Sequence, residues 1–224
     1  MVIPAYNAEH RIVDTLRKMR SVKEVGEVVV VDDGSKDNTA KVARRYADRV
    51  VSYKPNHGKG YAMRKGAAAA KGDVVCFIDD AQFEPKEIPR LLRKMKSDNL
   101  DMVIGARDFS RIPSHRKITN YGSRFAILLG TGAWVKDALS GFRVIDRKRF
   151  LELGTTEDGY GIEVDTNFRA LNRGLKVGWV PVTVHYNEAK TGIFKSANRS
   201  FKQLWRESSF NAKTVLKIWL GVFR

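Results

Sequence analysis

The chain has 224 residues, 43% hydrophobic and 29% charged, which suits one packed domain, or one domain with a small appendage, under a soluble surface. A formal net charge of +16 calls for an anionic partner: nucleic acid, an anionic membrane face or phosphorylated substrates. The lone Cys76 excludes an internal disulfide and suits a reducing, cytosolic setting; no secretory signal is read at the start, and no run approaches the roughly 18 apolar residues that cross a bilayer.

In chain order, Val2 and Ile3 form a stub of a first strand, cut short by Pro4. A helix over 8–20 follows, with Ile12, Val13, Leu16 and Met19 on one face. The run Val28-Val29-Val30-Val31 has the unbroken β-branched character of a buried parallel strand. Asp37 is placed to cap a helix running to 47, then a strand over 50–53 and a helix over 58–71. Further strands are expected over 73–78 and 102–105, a basic loop over 106–117, helices over 118–130 and 163–173, and strands over 176–186.

This alternation predicts a mostly parallel α/β sheet with right-handed crossovers. Such sheets bind ligands at the carboxyl ends of their strands, beside helix N-termini. Those ends carry Pro4-Ala5-Tyr6-Asn7, Asp32-Asp33-Gly34-Ser35 and Asp79-Asp80. In the second cluster two carboxylates can accept from base N–H and ribose hydroxyl groups, and Gly34 permits close backbone approach. In Asn56-His57-Gly58-Lys59-Gly60 two glycines around a lysine open a helix, a place that favours an anion. Asp79 and Asp80 end a buried strand, where carboxylates are costly unless paired; a hard cation, Mg²⁺ or Mn²⁺, bridging two phosphates is their natural partner.

Together these motifs resemble, in order and spacing, the family 2 inverting glycosyltransferases of GT-A fold, and most closely the dolichyl or polyprenyl phosphate sugar synthase branch. Ser140-Gly141-Phe142-Arg143, Gly161-Ile162-Glu163-Val164-Asp165, and Gly174 before Val180-Pro181-Val182 continue the likeness. The resemblance implies a GT-A domain over 1–195 and a nucleoside-diphosphate sugar donor, UDP- or GDP-linked. It puts Pro4, Ala5, Tyr6, Glu9, Asp32 and Asp33 at the nucleotide, with Asp33 as base acceptor. Lys59, Arg64, Asp79, Asp80 and Gln82 complete the donor site, and Asp79 and Asp80 hold the metal. Arg107, Arg124, Ser140, Arg143 and Lys195 would hold an acceptor phosphate. The branch usually has Asp-any-Asp where this chain has Asp79-Asp80-Ala81, which leaves a non-catalytic nucleotide-sugar binder as an alternative.

Two acceptor chemistries are open. A hydroxyl needs a general base, for which Asp165 or Glu163 would serve. A phosphate monoester is already anionic, and the arginines between 107 and 143 favour it, Arg143 included, because guanidinium forks match phosphate oxygens. Residues 196–224 place Phe201, Leu204, Trp205, Trp219 and Phe223 on one stripe and Lys202, Arg206, Lys213 and Lys217 off it, which predicts an amphipathic helix at an anionic membrane surface, on the cytoplasmic face, with a helix packed on the sheet as the alternative. Nucleic acid is not expected, because the acidic strand ends would repel its backbone.

Overall fold

The computed structural model describes residues 1–78, 83–111 and 114–183, and in the C-terminal segment Thr214, Leu216, Lys217 and Leu220. Its sheet has seven strands in the order β3-β2-β1-β4-β6-β5-β7. These are β1 (Val2–Ala5), β2 (Val29–Asp33), β3 (Arg49–Tyr53), β4 (Val74–Phe77), β5 (Met102–Arg107), β6 (Arg143–Asp146) and β7 (Val177–Val182). The short first strand is not an edge: β1 pairs in parallel with β2 from Val2↔Val29 to Ala5↔Asp32 and meets β4 at Val2↔Phe77. β2 is buried throughout, as an unbroken valine run covered on both faces requires.

One strand breaks the parallel rule. Residues Arg143–Asp146, for which the sequence reading placed no strand, form β6, antiparallel to both β4 and β5. β4 and β5 therefore run the same way, and the carboxyl ends of the parallel strands share one edge of the sheet.

The seven α-helices of the described residues are α1 (Glu9–Arg20), α2 (Thr39–Ala43), α3 (Lys59–Ala69), α4 (Ile88–Ser97), α5 (Ser114–Thr131), α6 (Arg147–Glu152) and α7 (Ile162–Asn172). α1 buries Ile12, Leu16 and Met19 in the core cluster that holds Ile3 and Val30. On the opposite face α3 joins Val2, Val29 and Val31 through Ala62, Met63 and Ala67. Gly66 allows that contact, since a β-carbon there would lie 2.3 Å from Val2 Cγ1. α2 is shorter than the 37–47 expected, and its N-cap is Asn38. Asp37 instead takes hydrogen bonds from the Thr39 amide at 3.0 Å and the Thr39 hydroxyl at 2.5 Å. Among the described residues no helix is long and apolar enough to cross a membrane.

Candidate active site

The loops leaving β1 and β2 are laced together at the carboxyl edge. Asn7 and Ala8 donate their amides to Ser35 Oγ and Thr39 Oγ1 at 2.9 and 2.7 Å, while the Lys36 amide donates to Asn7 Oδ1 at 2.9 Å. Asn7 accepts a left-handed φ of 49°, a conformation asparagine tolerates better than most residues. Glu9 receives the Asn38 amide and side-chain N–H at 3.1 and 3.0 Å, so its carboxylate ties α1 to α2. Ala5 is buried and Pro4 half-buried, whereas Tyr6 stands 44% exposed where a base could stack.

The paired aspartates are both held within the domain. Asp33 is 4% exposed and accepts from the His57 amide, the Gly58 amide and Asn56 Nδ2, at 2.8, 2.8 and 2.7 Å. It braces the 56–58 turn. Asp32 accepts from the Ser35 amide at 3.2 Å and Ser52 Oγ at 2.8 Å, fastening the β2 end to β3.

The start of α3, expected open to an anion, is closed by chain from a hundred residues away. The Gly60 and Tyr61 amides donate to the Asp158 carbonyl at 2.6 and 3.3 Å. Lys59 pairs with Glu163, and Arg64 reaches the Glu157 carbonyl at 2.9 Å and the Asp158 carboxylate. Lys59, Arg64 and Glu163 therefore form one ionic seam between α3 and the segment entering α7.

Asp165 is fully buried. It accepts from Arg169 Nε at 2.5 Å and from the Thr156 and Glu157 amides at 2.8 and 3.1 Å. This geometry makes it an organiser of the 155–161 turn. The same segment touches the C-terminal part of the chain, where Thr214 is buried against Gly161 and Lys217 pairs with Glu157.

At the end of β5, Arg107 forms a two-pronged contact with Asp137, Nε at 2.7 Å and Nη2 at 2.9 Å. Asp137 is completely buried and also holds Asn120 Nδ2 at 2.6 Å. Burial alone would raise its pKa; the Arg107 hydrogen bond and charge, with Asn120, outweigh that and hold it below the ordinary value. The sequence reading missed Asp137, which carries no motif; its only signal is a carboxylate beside Lys136 between the apolar pairs Trp134-Val135 and Ala138-Leu139.

Arg124 sits beside this pair. Its Nε donates to the Val135 carbonyl at 2.8 Å, and its guanidinium lies 4.2, 5.0 and 5.2 Å from the ring centres of Trp134, Tyr121 and Phe109. Among the described residues nothing hydrogen-bonds its two terminal nitrogens.

Ser140 and Arg143, expected to grip an acceptor phosphate, are turned inward. Both are fully buried: Ser140 Oγ donates to the Gly105 carbonyl at 2.6 Å, and Arg143 donates to the Ser140 carbonyl at 2.5 Å and Asn167 Oδ1 at 3.1 Å. They lock β6 to β5 and α7.

Asp79, Asp80, Gln82 and Lys195 lie outside the described residues, as does the 197–224 stripe apart from its four described positions. β4 is buried through Cys76 and Phe77 and ends before Ile78, also buried, so Asp79 follows in sequence from a strand end at the ligand edge. Two consecutive carboxylates are hard oxygen donors and fit Mg²⁺ or Mn²⁺. Among the described residues no cluster of three or more His, Cys, Asp or Glu could hold a metal.

A mostly parallel sheet flanked by helices, with this edge, is the GT-A fold of nucleotide-sugar transferases. The profile of Glycosyl transferase family 2 matches residues 1–154, and the chain belongs to that family of inverting glycosyltransferases. It resembles an uncharacterized protein of Methanocaldococcus jannaschii, 33% identical over 84% of this chain and 88% of the relative. The UDP-N-acetylglucosamine–dolichyl-phosphate N-acetylglucosaminyltransferase of Methanococcus voltae is 25% identical over 92% of this chain and 93% of its own. A dolichyl-phosphate β-glucosyltransferase of Trichomonas vaginalis is 31% identical over 81% of this chain and 64% of its own. Glucosyl-3-phosphoglycerate synthase from Mycobacterium tuberculosis, crystallised with Mn²⁺, UDP-glucose and phosphoglyceric acid, superposes with a TM-score of 0.73 at 25% identity, over 97% of this chain and 78% of that one.

Proposed function

We propose that the protein transfers a sugar from a UDP- or GDP-linked donor, with inversion, to a dolichyl or polyprenyl phosphate while resting on the cytoplasmic face of a membrane. The observation that carries the acceptor is Arg124, a guanidinium fixed by a carbonyl and three rings, whose outer nitrogens no described residue hydrogen-bonds and which suit phosphate oxygens. Relatives named as dolichyl-phosphate transferases support the same class of acceptor.

In this reading Tyr6, with Pro4 and Ala5, lines the base pocket, and the Asp33 brace holds the 56–58 turn beside it. The Lys59–Glu163 and Arg64–Asp158 pairs keep the α3 seam in register with the donor. Asp79 and Asp80 would hold Mg²⁺ or Mn²⁺, whose chemistry is to neutralise charge on a diphosphate. An acceptor phosphate oxygen bonds to the anomeric carbon as the bond from that carbon to the diphosphate breaks, and the nucleoside diphosphate departs with the bonding pair. The acceptor is already anionic near neutral pH, so no side chain must take a proton. Glu163 and Asp165, both paired with cations, are not called on as bases; transfer to a hydroxyl with Asp165 as base has correspondingly less support.

The test is transfer from radiolabelled UDP- and GDP-sugars, with Mn²⁺, to dolichyl phosphate, to 3-phosphoglycerate and to a hydroxyl-terminated glycolipid in parallel. Label should move into the dolichyl phosphate fraction. Transfer only to the hydroxyl acceptor, or only to the soluble phosphate, overturns the reading.

A further inference from the structure

The residues of α5 divide sharply. Asn120, Ser123, Ala126 and Ile127 are buried against the domain, with exposures of 2% or less. Ile118, Tyr121, Phe125 and Leu129 are between 51% and 75% exposed. Their spacing of three, four and four residues puts them on one face of the helix, a stripe about three turns long. Trp134, 47% exposed, lies beside this helix, its ring against Arg124. An apolar face of this kind on a charged, water-soluble surface marks a contact site.

We propose that this face of α5 docks on an anionic lipid surface. Charge selects that occupant over an apolar protein partner. Lys117 and Arg124 border the face on its Tyr121 side, Lys136 follows Trp134 in the chain, and the whole chain carries +16. Aromatic rings holding an arginine beside aliphatic side chains suit the boundary between headgroups and acyl chains, where ring edges meet water and the cation meets phosphate. The sequence stripe at 201–223 pointed to the tail as the membrane contact; α5 is a second contact, built into the folded domain and next to Arg107 and Arg124. The proposal deepens the lipid-phosphate reading: it gives an acceptor in a bilayer a way to bring its headgroup to Arg124 without leaving the membrane.

Co-sedimentation of the full chain with phosphatidylcholine vesicles, with and without phosphatidylserine, tests it in the absence of any sugar transfer, so its failure is separable from failure of the acceptor assignment. Phe125→Ser with Leu129→Ser should lower partition onto the phosphatidylserine vesicles by about tenfold or more, equivalent to about 1.4 kcal/mol. Thermal melting and UDP-sugar binding should stay at parental values, because both side chains point away from the core. A Phe125→Cys protein carrying an environment-sensitive dye gives a second readout should the double variant misfold: its emission should shift to the blue when vesicles are added. Parental partition by the double variant, or no shift from the dye, overturns the proposal. So does light scattering that shows a dimeric parent and a monomeric double variant, which would make the face a self-interface.

Discussion

A β-carbon on Gly60 would stand 2.0 Å from the carbonyl oxygen of Glu157, and one on Gly58 2.5 Å from that of Asp158. Both obstructions are backbone, so no rotamer change relieves them. Gly60→Ala should push the 157–158 segment off the start of α3 and break the Gly60-to-Asp158 hydrogen bond. Overpacking of this kind costs about 1–3 kcal/mol. In a chain of this size, melting should fall by about 2–4 °C per kcal/mol. Calorimetry reads that, and isothermal titration with UDP should show weaker binding because Lys59 and Arg64 lose their seam. An unchanged melting point would mean that the two segments are not in contact.

This seam also marks the limit of what the sequence discloses. The valine run of β2 and the apolar face of α1 follow from side-chain periodicity, and the structure has both. β6 carries Arg143, Val144, Ile145 and Asp146, too short and too charged at its ends to stand out from the Ser-Gly-Phe-Arg motif before it. α4 was missed because Pro85 and Pro89 interrupt its start, although proline is tolerated in a first turn. The aspartates of β2 were legible as important, but their bracing role was not. A carboxylate at a strand end looks the same in sequence whether it faces a ligand or braces a loop, and Asp33 is braced by amides 24 and 25 residues away.

The Arg107–Asp137 pair predicts an acid response. Asp137 has a folded pKa below its ordinary 3.8, so the stability it contributes is present above that value and is lost as pH falls through the lower folded value. Asp137→Asn should cost about 3–5 kcal/mol at neutral pH, since it leaves Arg107 without its buried counter-charge. Chemical denaturation from pH 7 downward should show the gap between parent and variant narrowing in acid. A constant gap would mean that the carboxylate is not held ionised.

Arg124 is the residue whose substitution should separate acceptor from donor. Arg124→Lys keeps the charge but loses the planar fork and its stacking on Trp134, Tyr121 and Phe109. The KM for dolichyl phosphate should rise about tenfold or more while UDP binding stays unchanged. Equal loss of donor and acceptor affinity would place Arg124 elsewhere in the reaction.

Asp79 is expected to act through the metal. Asp79→Ala should lower kcat by about 10²-fold or more, the usual cost of removing one electrostatic partner of developing charge. Chelation with EDTA should silence the parent, and Mn²⁺ should restore it but not the variant. Asp80→Ala should lose less. A variant that turns over at the parental rate would remove Asp79 from the site.

The C-terminal segment makes the last prediction, because its four described residues have two faces. Thr214 is buried where a β-carbon on Gly161 would stand 2.1 Å from its hydroxyl, and Lys217 pairs with Glu157, whose side chain is only 5% exposed. Leu216 and Leu220, one helical turn apart, are 58% and 70% exposed. The segment is thus both a clamp on the turn that seals α3 and a carrier of free apolar surface, so substitutions on its two faces should act on different measurements. Lys217→Met removes the partner of a buried carboxylate and should lower the melting temperature, with vesicle binding little changed. Leu216→Ser with Leu220→Ser should leave melting at the parental value and weaken binding to phosphatidylserine vesicles. Deleting 197–224 should do both, because it removes the clamp and the apolar face together. If the leucine pair lowers melting as much as Lys217→Met does, both faces pack on the domain, and the segment does not reach the membrane.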